Sequence, residues 1–353
     1  MGRKHFHTFD ALRFFSFLLV FLLHLPKSGN VFIDFFLKSG GIGVTFFFVL
    51  SGFLITYILL YEKQQTQKIS LKNFFARRIL RIWPLFYLMI AFAYLSPYIF
   101  RALNIPYVTE GYEPHLLTSM VFGENYMMML TNSFPDGAPL RVMWTLCIEE
   151  HFYIVWGLLF YFLPIKRIPL LIVMSIIISN SARAIYSYFG FGLFDLFSNL
   201  DYFAFGAIPA YMLICKGSYI VYAEKIPLFI KYLFLALTIA IVFTLPNINV
   251  QWLPYVYPSL LAFSFATVIL FTLGSHSIHI KDDLWFSKLG TYTYGLYLYH
   301  TIVILSVIQI FKYLNVSNWI AIVLVSLVLT ILVSILSYHL FEKQFLKLKR
   351  CFY

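Results

Sequence analysis

The chain is a succession of apolar stretches, each close to the length that crosses a hydrocarbon layer, and few soluble architectures can accommodate that pattern. A window of about 20 residues marks ten of them, at roughly 9 to 25, 41 to 61, 83 to 103, 143 to 163, 168 to 188, 201 to 215, 228 to 246, 254 to 273, 291 to 311 and 318 to 341. Hydrophobic residues fill 61% of the positions and charged ones 12%, too little polar surface to coat a globule. The expectation is an all-α polytopic membrane protein, a bundle of about ten transmembrane helices forming a single domain over 1–353, with no appended soluble domain.

Lysine and arginine in the connections set the orientation. Arg3 and Lys4 precede the first stretch, and Lys63, Lys68, Lys72, Arg77, Arg78 and Arg81 follow the second. Lys166, Arg167, Lys216, Lys225, Lys281, Lys288 and the tail residues Lys343, Lys347, Lys349 and Arg350 continue the alternation, which predicts both termini in the cytoplasm. The opposite connections carry chiefly Lys27, Lys38, Arg141 and Lys312. Topology therefore accounts for the net charge of +11, and nucleic acid is not an expected partner. Cys147, Cys215 and Cys351 form no C-x-x-C, so neither a disulfide framework nor a metal site is indicated. The first stretch carries an arginine and lacks a small-residue cleavage site, and is read as a retained helix.

Polar groups inside the apolar stretches are the candidate chemistry, because ionisable side chains at bilayer depth are costly and mark functional paths. Arg13 and His24 share the first stretch; eleven positions nearly complete three turns, placing them on one face about 16 Å apart. His24 is either a general base for a hydroxyl or a buried hydrogen-bonding residue. In K-I-S-L-K-N-F-F-A-R-R-I-L-R-I-W-P, Arg78 and Arg81 are helical neighbours. They either fork onto phosphate oxygens or belong to an interfacial helix held by anionic head groups. W-T-L-C-I-E-E-H-F-Y puts Glu149 and Glu150 in the first turns of the fourth span, entering from outside, at a depth similar to that of His24. They point about 100° apart, so one reads as catalytic and the other as the partner of an arginine such as Arg141 or Arg183. Asp201 caps the sixth helix or meets an acceptor, His300 lies near mid-span, and Glu342 is available to an arginine of the second connection. Glu110, Glu113, His115, Glu124 and Asp136, in the outer connection of about 104 to 141, form either a lid or an ordinary acidic loop.

Five motifs in this order, F-D-A-L-R with R-x10-H, G-G-I-G-V-T-F-F-F-V-L-S-G-F-L-I-T, R-I-L-R, W-T-L-C-I-E-E-H-F-Y and L-G-T-Y-T-Y-G-L-Y-L-Y-H, resemble the acyltransferase-3 family of integral membrane O-acyltransferases over nearly the whole chain. The family commonly has glutamine where His151 stands. The resemblance implies transfer of an acyl group, usually acetyl from cytoplasmic acetyl-CoA, to a hydroxyl of a glycan or lipid-linked saccharide at the outer face of a bacterial inner (cytoplasmic) membrane. Under it, Arg13, Arg78 and Arg81 receive the acyl-CoA donor, and Trp144, Asp201 and His300 are candidates for contact with the saccharide acceptor. His24 removes the hydroxyl proton, Glu149 or Glu150 orients the imidazole, and an acyl-histidine intermediate is the competing route. The rival reading from another class is a transporter or flippase for an acidic or phosphorylated solute using the same groups.

Overall fold

The computed structural model describes residues 6–102, 111–248 and 253–352; Arg3, Lys4 and Glu110, used above, lie outside them. Its helices are α1 (Thr8–Leu23), α2 (Val31–Leu37), α3 (Ile42–Thr66), α4 (Leu71–Ala102), α5 (Leu116–Met120), α6 (Glu124–Thr131), α7 (Leu140–Phe162) and α8 (Ile168–Phe189). They continue with α9 (Leu196–Cys215), α10 (Gly217–Lys225), α11 (Leu228–Thr244), α12 (Leu253–Phe271), α13 (Trp285–Gly290), α14 (Thr293–Tyr313), α15 (Trp319–Ser337) and α16 (Lys343–Leu348). Among the described residues the fold is helical throughout, with an isolated bridge between Tyr112 and Pro135 as its β element.

Every apolar stretch read from the sequence is helical, but not all are long enough to cross a membrane alone. Seven helical stretches have the length and composition, namely Val31–Thr66, Leu71–Ala102, Leu140–Phe162, Ile165–Phe189, Leu228–Asn247, Thr293–Tyr313 and Trp319–Phe352. An eighth arises if α9 and α10, bent by 103°, count as one broken span. α1 has 16 residues, which at about 1.5 Å each reach about 24 Å, short of a core of about 30 Å. The basic run after the second stretch is not a separate connection: α4 is continuous from Leu71 and carries Arg77, Arg78 and Arg81 in its first turns, through Pro84. Nothing in F-F-A-R-R-I-L-R-I-W breaks a helix, and Ala, Leu and Arg favour one.

The chain divides into two units. The first comprises Met1–Ile69, Leu159–Ala184 and Phe197–Thr293. Here α1 packs on α3 and α13. Its first residue, Thr8, donates to the Ile278 carbonyl at 3.3 Å and accepts from the Ile280 amide at 3.1 Å. α3 and α9 touch backbone to backbone: a Cβ on Gly52 would stand 2.1 Å from the Phe203 carbonyl oxygen, and one on Gly206 1.9 Å from that of Val49. In lipid, apolar surface gives helices no reason to leave the solvent, so close approach at small residues and interhelical hydrogen bonds hold them together.

The second unit comprises Ser70–Leu158, Ile185–Leu196 and Tyr294–Tyr353. Three α14 tyrosines supply its cross-links. Tyr294 donates to the Ile82 carbonyl on α4 at 2.6 Å, Tyr297 to the Val142 carbonyl on α7 at 3.0 Å, and Tyr299 to Ser337 Oγ on α15 at 3.0 Å. At the chain's end α16 and the short turn Lys349–Phe352 pack on α4.

Candidate functional site

Arg13 and His24 belong to the first unit, whereas Glu149, Glu150, Arg78, Arg81, Trp144 and His300 belong to the second. Arg13 is held by an ion pair with Asp10, one turn earlier on α1, and both are half-buried. The sequence reading passed over Asp10, although D-A-L-R already places an acid three residues before the arginine.

His24 terminates α1 as its C-cap residue. Its Nδ1 lies 2.9 Å from the Val20 carbonyl oxygen. A carbonyl only accepts, so Nδ1 carries the proton and Nε2 holds the lone pair. That tautomer leaves the distal nitrogen as the basic one, as a general base needs.

Asp201 does not cap its helix, because α9 begins five residues earlier at Leu196. It is fully buried and makes an ion pair with Arg183, whose Nη1 donates to Oδ1 at 2.9 Å. Ser179 Oγ donates to Oδ1 at 2.9 Å and Ser259 Oγ to Oδ2 at 3.0 Å. Arg183, offered above to a glutamate, is thus committed to Asp201. The pair joins α8 to α9, and the spacing on two separate helices gave no sequence signal for it.

In the second unit the two glutamates lie near the middle of α7 rather than in its first turns, since that helix starts at Leu140. Glu150 is 7% exposed. Trp83 Nε1 on α4 donates to its Oε2 at 3.4 Å, and its Oε1 is buried without a hydrogen-bond partner. Glu149 accepts from Tyr153 OH, one turn along α7, at 2.9 Å. The two neighbours therefore differ in role: Glu149 is tied within its own helix, and Glu150 faces α4 with one oxygen uncommitted. The Arg78 guanidinium stands 6.0 Å from the centroids of the Phe74 and Tyr153 rings and acts electrostatically on Glu150. Arginine and carboxylate, expected at opposite ends of the membrane, are neighbours, because α4 extends back to include the basic run.

Arg81 acts on Glu342, which is buried at a π-helical turn, Tyr338–Glu342, and accepts from Ser337 Oγ at 3.3 Å. His300 is fully buried, its Nδ1 2.6 Å from the Tyr297 carbonyl. Trp144 is half-buried with its ring edge-on to Phe194 at 5.1 Å. His151 keeps Nδ1 buried without a hydrogen-bond partner and lies 5.4 Å from the Tyr126 ring.

The connection before α7 is more than an acidic loop. Glu124 is 2% exposed and accepts from both Tyr112 OH and Ser119 Oγ. Burial, reinforced by that bond to Glu124, pushes the Tyr112 hydroxyl well above its ordinary range. Glu113 and His115 are exposed. Among the described residues no group of three or more His, Cys, Asp or Glu side chains is placed to hold a metal ion.

The family described as "Acyltransferase domain" matches residues 6–339. Peptidoglycan O-acetyltransferase OatA of Listeria monocytogenes serovar 1/2a is 28% identical over 363 aligned positions, covering 97% of this chain and 56% of that protein. A candidate peptidoglycan O-acetyltransferase of Bacillus subtilis strain 168, YrhL, is 27% identical over 360 positions, covering 95% of this chain and 54% of that one. The chain thus spans about half the length of the curated relatives it matches. No solved structure matches it.

Proposed function

From the premise that this chain belongs to the acyltransferase family, whose match covers residues 6–339, we propose that it is a multi-pass membrane O-acyltransferase. That near-complete family match carries the reading. The donor is acyl-CoA, most simply acetyl-CoA, entering from the cytoplasm. The acceptor is a hydroxyl of an extracytoplasmic glycan, and the names of the two relatives favour peptidoglycan over other surface saccharides. The protein resides in a bacterial cytoplasmic membrane as one acyltransferase domain. Its ten crossings comprise the seven long apolar stretches, the bent α9–α10 pair, α1 and α12. Both termini face the cytoplasm; the packing of the C-terminal turns on the basic start of α4, and the lysine and arginine pattern, support that side.

His24 is the general base: Nε2 accepts the acceptor's hydroxyl proton, the oxygen attacks the thioester carbonyl carbon, and the C–S bond breaks. The imidazolium then returns the proton to the departing CoA thiolate. Of the two carboxylates, Glu150 is assigned to the reaction and Glu149 to the helix, on the strength of the uncommitted Glu150 oxygen. Arg78 and Arg81 take donor phosphates, and Arg13, oriented by Asp10, supports the donor from α1. Trp144 is assigned to the acceptor, since an aromatic face suits a sugar ring. Asp201 and His300, fully buried, are assigned to the framework.

The test is acetyl-CoA binding and turnover by the purified full chain in nanodiscs, with muropeptide as acceptor. His24→Ala is expected to lose at least 10²-fold in turnover, the lower end of general-base effects, while still binding CoA. Arg78→Ala/Arg81→Ala is expected to lose binding. A wild-type protein that neither binds nor consumes acyl-CoA defeats the reading.

A further inference from the structure

Where the start of α6 meets α7, in the second unit, two buried acceptor atoms are without a donor. Asn125 is fully buried; its Nδ2 donates to the Phe194 carbonyl at 2.9 Å, and its Oδ1 makes no hydrogen bond. A carbonyl only accepts, so the amide cannot be turned the other way, and the uncommitted atom is the oxygen. His151, the residue after Glu150, has its Nδ1 in the same condition. Its other ring nitrogen bonds the Phe122 backbone, whose amide already donates to the Ser119 carbonyl at 3.4 Å. The Phe122 carbonyl is therefore the partner, Nε2 carries the proton, and Nδ1 keeps its lone pair.

Tyr126 joins the two acceptors. It follows Asn125 on α6, and its ring lies 5.4 Å from the His151 ring with the planes 32° apart. Phe194, whose carbonyl holds Asn125, also sets its ring against Trp144 at 5.1 Å, so the tryptophan assigned to the acceptor borders the same place. Tyr126 is 41% exposed. A side chain so exposed changes rotamer freely, and a ligand reaches His151 by displacing that one ring.

An acceptor buried without a donor is unfavourable, and two side by side call for a ligand that brings two donors. Phosphate and carboxylate do not qualify, because they would set lone pairs against lone pairs. Asp195, bonded to Tyr186 OH at 2.9 Å, already places a carboxylate within electrostatic reach of both His151 and Tyr126. Neutral hydroxyl and amide N–H groups do qualify, and a sugar ring carries them around its edge while offering its C–H face to an aromatic side chain.

We propose that Asn125 Oδ1 and His151 Nδ1 form a subsite beside Glu150 for the uncharged hydroxyl and amide N–H groups of a saccharide. The inference rests on the proposed function for the reaction that this sugar undergoes, but not for its binding.

The experiment is equilibrium binding and acyl transfer by the full chain in nanodiscs, with a muropeptide, its peptide-free disaccharide and analogues of that disaccharide lacking one hydroxyl each as probes. His151→Phe keeps a ring against Tyr126 and removes the acceptor. It is expected to weaken the disaccharide about two- to tenfold, the worth of one neutral hydrogen bond, and to raise its KM while CoA binding stays at the wild-type value. Asn125→Ala is expected to act alike, and His151→Gln, whose Oε1 accepts, to restore binding to within about twofold. With one deoxy analogue the wild type loses that same factor and His151→Phe loses nothing more, a coupling that a purely structural role does not produce. Disaccharide binding that both variants leave unchanged, or that falls equally for every analogue, overturns the inference and leaves the acyltransferase reading intact. Disaccharide binding that depends on both residues, in a protein that neither binds nor consumes acyl-CoA, keeps the subsite and removes the proposed reaction. A wild type that takes up CoA but neither saccharide probe overturns the inference alone.

Discussion

Asp201→Ala is expected to be strongly destabilising to the first unit, and the structure sets its size. The carboxylate is fully buried and receives Arg183 on both oxygens, Ser179 on Oδ1 and Ser259 on Oδ2. Removing it leaves a guanidinium that is 4% exposed without its counter-charge. Breaking a buried pair from one side costs about 3–5 kcal/mol, and each hydroxyl stripped of its acceptor adds about 1 kcal/mol. The expected loss is therefore about 4–6 kcal/mol, allowing for incomplete additivity. The double change Arg183→Met/Asp201→Leu removes both charges and is expected to recover more than half of that loss, because well-packed apolar replacements of buried pairs are close to neutral. The assay is reversible unfolding in mixed micelles with increasing dodecyl sulfate, with acyl transfer measured per folded molecule. A loss below about 1 kcal/mol for Asp201→Ala, or a double variant no better than the single one, would refute the argument. A double variant that regains stability yet transfers no acyl group would return Asp201 to contact with the acceptor.

Gly206→Leu is expected to prevent the first unit from assembling, because even a Cβ there would sit 1.9 Å from the Val49 carbonyl oxygen, a backbone atom that cannot rotate away; folded yield by size-exclusion chromatography is the readout. Gln67 closes α3 with φ 60°, so Gln67→Gly is expected to stabilise by about 0.5–1 kcal/mol in the same micelle titration, and destabilisation would show that the side-chain bond to the Gln64 carbonyl matters more.

What was legible in the sequence was whatever repeats or stays local along one helix. The apolar stretches follow from composition and length, and each of them overlaps a helix. The spacing of Arg78 and Arg81, like that of Asp10 and Arg13, is an i,i+3 property of a single helix, and the acid before Arg13 could have been read in the same way. Partners contributed by different helices were not legible. Nothing in the chain order says that Arg183 spends its charge on Asp201, that Trp83 takes one oxygen of Glu150, or that three α14 tyrosines clasp α4, α7 and α15. The largest displacement, bringing Arg78 beside Glu150, has a simple cause. The sequence reading began the third span only after the basic run, whereas a helix extends as far as its backbone bonds extend, regardless of side-chain charge. Once α4 starts at Leu71, its arginines are inside the helical framework, where their charge must be answered by carboxylates or by a ligand.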